Sequence, residues 1–133
     1  MGDQGSGIRD TNEIRSTIQQ AAQAWMTGDA NAFANLFAPN GEFITPGRAC
    51  RGQDAIREVT ASFAARHSNV NISIMRIIID GDQAVVEWQW QDTDDATGVR
   101  HRADDAIVID FNDGLIARWR EYIDNSPYAA LAK

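Results

Sequence analysis

Apolar residues recur along this chain at two periods, and the change from one to the other divides it. In the first half the period is helical. Ile14, Ile18, Ala21, Ala22, Trp25 and Met26 fall on one stripe, preceded by a capping-box pair, Asp10 and Glu13, and stopped by Gly28. Asp29 is placed to cap a second, shorter helix whose Phe33, Leu36 and Phe37 form a stripe, ended by Pro39-Asn40-Gly41. Glu42 to Thr45 reads as a short strand broken by Pro46-Gly47, and Arg48 to Gly52 as a loop carrying two arginines. Gln53 to His67 reads as a third helix with the core stripe Ile56, Val59, Phe63.

From Val70 onward the period falls to two, which predicts strands joined by tight turns. These run Val70 to Ile79, Gln83 to Asp92, Val99 to Phe111 and Leu115 to Asp124, separated by Asp80-Gly81-Asp82, an Asp-rich loop ending Thr97-Gly98, and Asn112-Asp113-Gly114. In the first strand the apolar parity runs Val70, Ile72, Ile74 and then shifts to Met75, Ile77, Ile79, the mark of a bulge that lets a sheet curl. The pattern predicts an α+β fold: a curled antiparallel sheet covered by three N-terminal helices, a cone with one open end.

Strand alternation also exposes residues on the wrong face. Leu115, Ala117, Trp119, Glu121 and Ile123 share one side, so the Glu121 carboxylate is aimed where its neighbours are being buried. One strand earlier, Asp105 and His101 join Val99, Ala103, Ile107, Ile109 and Phe111. Ala84, Val86, Trp88 and Trp90 form the matching apolar set of the neighbouring strand, so three titratable groups and three tryptophans converge. Burial disfavours the charged form of an acid, and misplaced acids of this kind give apolar sites proton chemistry.

Composition removes several other classes. With 12 Lys+Arg against 19 Asp+Glu and a formal charge of -7, the chain lacks the cationic footprint of a nucleic-acid or anionic-membrane binder. Its 133 residues suit one domain, expected over 10–126 between a flexible N-terminal tail at 1–9 and a C-terminal tail at 127–133. Cys50 is alone, so no intrachain disulfide forms, and no apolar run long enough for a membrane span is visible; a cytoplasmic protein is expected. Met1 to Ser6 formally fits a myristoylation pattern but has no polybasic partner, and reads as a flexible tail. No Gly-rich phosphate loop, nucleophile elbow or paired metal-ligand spacing occurs, so no cofactor and no metal is expected. His67 and His101 lie far apart, and the Asp92, Asp94, Asp95 cluster reads as a solvated turn.

Several local motifs together carry a resemblance. They are Trp25-Met26-Thr27-Gly28-Asp29, Leu36-Phe37-Ala38-Pro39-Asn40, Gly52-Gln53-Asp54-Ala55-Ile56, Thr97-Gly98, and Asn112-Asp113-Gly114-Leu115-Ile116 leading into Trp119-Arg120-Glu121-Tyr122-Ile123-Asp124. In these the chain resembles the SnoaL-like group of the nuclear transport factor 2 superfamily, which includes ketosteroid isomerases and limonene epoxide hydrolases. The isomerase's general base falls at Thr45, its oxyanion tyrosine at Ala21 and its protonated aspartate near Ile107, so that mechanism is not supported. In the hydrolase pattern Tyr and Asn fall at Phe43 and Thr45, and the Asp-Arg-Asp set at Trp90, Trp88 and Glu121, where only the last acid survives.

The resemblance implies a small apolar molecule held in the cone by Trp25, Phe43, Thr45, Trp88, Trp90, Ile107 and Trp119, with Glu121, Asp105 and His101 as acid and base candidates. Isomerase, cyclase or hydrolase chemistry would all fit. It also implies a homodimer formed through the outer sheet face, where Arg118, Arg120 and Tyr122 alternate away from the core. Two alternatives stay open: Glu121 as half of an ion pair with Arg48 or Arg51, and the whole domain as a non-catalytic ligand-binding or dimeric assembly module.

Overall fold

The computed structural model describes residues 11–125. The expected tails, the Met1 to Ser6 pattern and the Asp10 half of the capping box lie outside the described residues. Helix α1 spans Thr11–Thr27 and turns its buried Ile14, Ile18, Ala21, Ala22 and Ala24 inward. Gly28, at φ 70°, ends it in the left-handed conformation that glycine adopts without a Cβ penalty.

Helix α2 is shorter than its stripe predicts, covering only Ala30–Ala34, with the Asp29 side chain accepting the Ala32 N–H at its start. Leu36 and Phe37 do not extend it. Phe37 opens strand β1, Phe37–Thr45, so Pro39-Asn40-Gly41 lies inside a strand instead of closing a helix. The reason is an irregularity in pairing between Phe37 and Glu42, which accommodates a proline with no N–H. It also brings Gly41 so close to its neighbour that an added Cβ would sit 2.7 Å from the Ile116 carbonyl oxygen.

The expected Arg48 to Gly52 loop is strand β2, Arg48–Arg51, paired antiparallel to β1. Thr45 faces Arg48 directly, and Gly47 has φ 75°, so Pro46-Gly47 is a tight hairpin turn and not a break. Helix α3, Gln53–Ala64, stops three residues before its predicted end. His67 instead begins β3, His67–Asp80, because it pairs with Asp94 across the sheet.

Strands β4 (Gln83–Asp94), β5 (Arg100–Asn112) and β6 (Leu115–Asp124) follow. The six strands form one open sheet in the order β2-β1-β6-β5-β4-β3. All neighbours are antiparallel except β1 and β6, which run parallel, so the sheet is mixed. Two bulges correct the predicted faces. Between Ile74 and Arg76 the extra residue is Met75, which is exposed and does not join the inner set. Between Phe111 and Asp110 on β5, β6 carries the extra Ala117, which puts Ile116 in the core and Leu115 outside. Ile123, near the strand end, is likewise exposed.

The core lies between the helices and the concave side of the sheet, where α1 packs on β3 and α2, and α3 on α2 and β1. It is unusually aromatic. Phe33, Phe37 and Trp119 are fully buried and meet at ring-centroid distances of 5.1 to 6.2 Å, mostly edge to face. Among the described residues, no helix is long and apolar enough to cross a membrane.

Candidate active site

On the concave face β5 contributes Ala103, Asp105, Ile107 and Ile109, all buried, while β6 contributes Trp119 and Glu121. Register places Ile107 opposite Glu121 and Asp105 opposite Ile123 and Trp88. Asp105 and Glu121 are therefore diagonal neighbours on adjacent strands, close enough for long side chains to meet. Their carboxyl groups interact, and each bears on the other's protonation, while Asp105 Oδ1 is buried with no hydrogen-bond partner among the described residues.

Each acid also accepts from an indole. Trp88 Nε1 donates to Asp105 Oδ2 at 3.2 Å, and Trp119 Nε1 donates to Glu121 Oε1 at 2.9 Å. These tryptophans are fully buried, so the two acids satisfy polar groups that would otherwise be costly in a core. Neither acid has a basic partner among the described residues. Arg51 binds Glu42 at 2.6 Å and Arg48 is exposed, so the arginine pairing considered for Glu121 is not formed.

Burial without a cation drives protons onto this pair. Desolvation holds Glu121 well above the ordinary carboxyl range, and its hydrogen bond to Asp105 and the Asp105 charge raise it further. Asp105 is also raised, first by desolvation, while hydrogen bonds from Glu121 and Trp88 pull it back down. The two carboxyls titrate as one coupled pair, which holds a proton above the ordinary carboxyl range, as expected for two acids forced together.

A pH dependence of stability follows. A carboxyl with a raised folded pKa stabilises the fold fully below its unfolded value of about 4.3, progressively less as pH rises, and not at all above the folded value. Thermal unfolding should therefore show the midpoint falling as pH rises from 5 to 8. Glu121→Gln, whose amide oxygen can accept from Trp119 and whose amide nitrogen can donate to Asp105, should flatten that fall. An unchanged slope in the variant would assign the pH dependence to other groups.

Of the remaining expected contact residues, Phe43, Trp88, Ile107 and Trp119 are buried in the aromatic core, and Trp25, Thr45 and Trp90 are half-buried. Trp25, Trp90 and Phe63 meet edge to face, each pair at 5.6 Å, and form the partly open rim of that core. A surface groove of about 440 Å³ lies elsewhere, between α1 and the β5–β6 turn, and none of the candidate residues lines it.

His101 is exposed and is not brought to Asp105. It faces Asp92 instead, its direct cross-strand partner, with Nδ1 3.4 Å from Oδ1. Asp92 is 3% exposed, so it is not part of a solvated turn. It continues the inward parity of Trp88 and Trp90 by one more step, a signal visible in the sequence. His67, whose Nδ1 lies 3.1 Å from Asp92 Oδ2, gave no such signal because it sits at a helix-to-strand boundary. The separation in sequence that argued against a metal site is thus removed by the fold.

Helices packed on the concave side of a curled, open sheet, with acids on its inner face, define a cone-shaped α+β domain. The SnoaL-like domain profile matches residues 18–119, more than half of the chain. The chain belongs to the SnoaL-like domain family. Its fold is shared by a protein of ketosteroid isomerase-like fold from Catenulispora acidiphila DSM 44928, solved with trimethylamine. That match has TM-score 0.75 and 21% identity, over 80% of this chain and 83% of that one. An epoxide hydrolase of the LEH-like type from M. tuberculosis matches at TM-score 0.74 and 21% identity, over 86% and 84% of the two chains. TsrD from Streptomyces laurentii matches at TM-score 0.76 and 18% identity, over 87% and 91%. No curated protein matches the chain significantly.

Proposed function

We propose that this domain is a cofactor-independent acid/base enzyme of the isomerase, cyclase or hydrolase type, acting on a small apolar molecule. Glu121 is its general acid and Asp105 its general base. The observation that carries this reading is the buried, interacting Asp105–Glu121 pair, unpaired with arginine among the described residues and with both carboxyls raised above their ordinary range. A protonated acid beside an ionised base is what concerted proton transfer at physiological pH requires. Trp25, Phe63 and Trp90 supply apolar contact at the rim.

The test has two parts. Infrared spectroscopy at neutral pH should detect the carbonyl stretch of a neutral carboxylic acid, absent from Glu121→Gln. Deuterium exchange α to the carbonyl of cyclohex-2-enone and hydrolysis of 1-methylcyclohexene oxide, followed by NMR, should be accelerated by the protein and not by the variant. A fully ionised Glu121 sinks the assignment.

A second reading is favoured by a specific contact: both acids accept from buried indoles, which a purely structural pair would also do. In that case the domain is a ligand-binding or assembly module. Glu121→Leu would then cost stability by stranding the Trp119 Nε1–H, Glu121→Gln would keep it, and neither would change any activity.

The outer sheet face extends the proposal to a homodimer. Ile78, Val85 and Val108 stand in one cross-strand row with Arg120, beside Tyr122, and Ile78 and Tyr122 are about half exposed. Sedimentation velocity should find a dimer that Val85→Glu converts to a monomer. A monomeric parent protein rules this face out as the interface.

A further inference from the structure

The acids of the proposed site leave unused one polar cluster, built around the buried Asp92. Asp92 on β4 is flanked by His67 at the start of β3 and His101 near the start of β5, and the candidate donor atoms of all three lie within 4.8 Å of one another. Register explains the meeting. His101 is the cross-strand partner of Asp92, and His67 pairs with Asp94, so it sits diagonally across from Asp92.

The cluster is close but not hydrogen-bonded. His67 Nδ1 and Asp92 Oδ1 are both buried and have no hydrogen-bond partner, although His67 Nδ1 lies 3.1 Å from Asp92 Oδ2 and His101 Nδ1 lies 3.4 Å from Oδ1. A buried carboxylate oxygen left in this state is costly, and such an orphan calls for an ion or a water. Those two separations, one to each carboxylate oxygen, are close to the edge of a coordination polyhedron. Bonds of about 2.0–2.2 Å to nitrogen and oxygen put neighbouring ligand atoms of a tetrahedral site about 3.3–3.6 Å apart, so the His101 separation falls in that range and the His67 one is a few tenths of an ångström short of it.

The surroundings hold part of the cluster in advance. The His67 ring stacks on Phe63 at 4.1 Å and 6°, which fixes its plane, and Phe63 in turn meets Trp90. The His101 side chain is 53% exposed and free to close the last distance. Two imidazoles and one carboxylate favour a zinc-type transition metal over calcium or magnesium, which take all-oxygen ligand sets. Three ligands supplied from one sheet face leave the opposite side for water or a ligand oxygen.

We propose that His67, Asp92 and His101 form a binding site for one divalent transition-metal ion of the zinc type, with an open coordination position. The site lies on the concave face beyond Trp90. His101 stands four residues before Asp105 on β5, about 13 Å along an extended strand, so the metal is distinct from the carboxyl pair.

The experiment uses tag-free protein stripped with chelator, titrated with Zn²⁺ by calorimetry and with Co²⁺ by visible absorption. One equivalent should bind, and Co²⁺ should give the d–d bands of a low-coordinate nitrogen–oxygen site. His101→Ala, at an exposed position that leaves the core intact, should weaken binding more than tenfold, and Asp92→Asn should do the same. Absence of stoichiometric binding by either ion overturns the proposal. So does binding of equal strength in His101→Ala, His67→Ala and the parent, with circular dichroism confirming that each variant is folded.

Discussion

Under the proposed general-acid role, Glu121→Gln should lose turnover by about 10²–10⁴-fold while remaining folded, the range expected when a positioned acid is removed. The substitution is close to isosteric with the protonated acid. Its oxygen can still accept from Trp119 Nε1, and its nitrogen can still donate toward Asp105, so the contacts that hold the strand face are kept. What is lost is the transferable proton. Asp105→Asn removes the base instead and should cost a similar factor, but the double variant should be little worse than either single one, because the two carboxyls act as one unit. Rates of the parent and three variants on the same substrate measure this. Turnover retained within about threefold in Glu121→Gln would falsify the general-acid role.

Trp119→Ala should destabilise the domain by about 3–5 kcal/mol, the usual cost of truncating a buried tryptophan. Its ring is 0% exposed and touches Phe33, Phe37, Phe43 and Trp88, so no mobile neighbour can fill the space. The same change strips Glu121 of its indole donor. Trp119→Phe keeps a six-membered aromatic ring but removes the pyrrole part of the indole with its N–H, so its loss should be smaller than that of alanine. With total stabilities of about 5–15 kcal/mol, the alanine variant loses a large share of its margin. Urea unfolding of the three proteins measures it, and a loss below about 1 kcal/mol for alanine would mean that the aromatic cluster repacks.

The inner face of the sheet was legible because alternation is a strict signal. The inward parity of Ala103 to Phe111 and of Trp119 and Glu121 survives in the structure, and with it the convergence of Asp105 and Glu121. What alternation cannot see is a one-residue slip. Ala117 adds such a slip, which exchanged Leu115 for Ile116 in the core. Pro46-Gly47 reads as a break in the sequence because proline and glycine punctuate both loops and hairpins, and only pairing decides between them. Asp92 was missed although its parity matched Trp90, because neighbouring aspartates made the segment look like a solvated turn. His67 had no periodic context to place it.

The parallel pairing of β1 with β6 has a consequence for how the chain is assembled. Phe43 and Trp119, partners in that ladder, are separated by more than half of the sequence, and every other neighbouring pair of strands is local by comparison. The β1–β2 hairpin and the β3 to β6 meander can each form from nearby residues, but joining them requires the largest loop closure in the domain. During synthesis from the N-terminus, the strand that unites the two halves is the last to be delivered. Trp119 and Glu121 ride on that strand, so the core's central aromatic and the acid of the proposed site arrive together, at the step that completes the sheet.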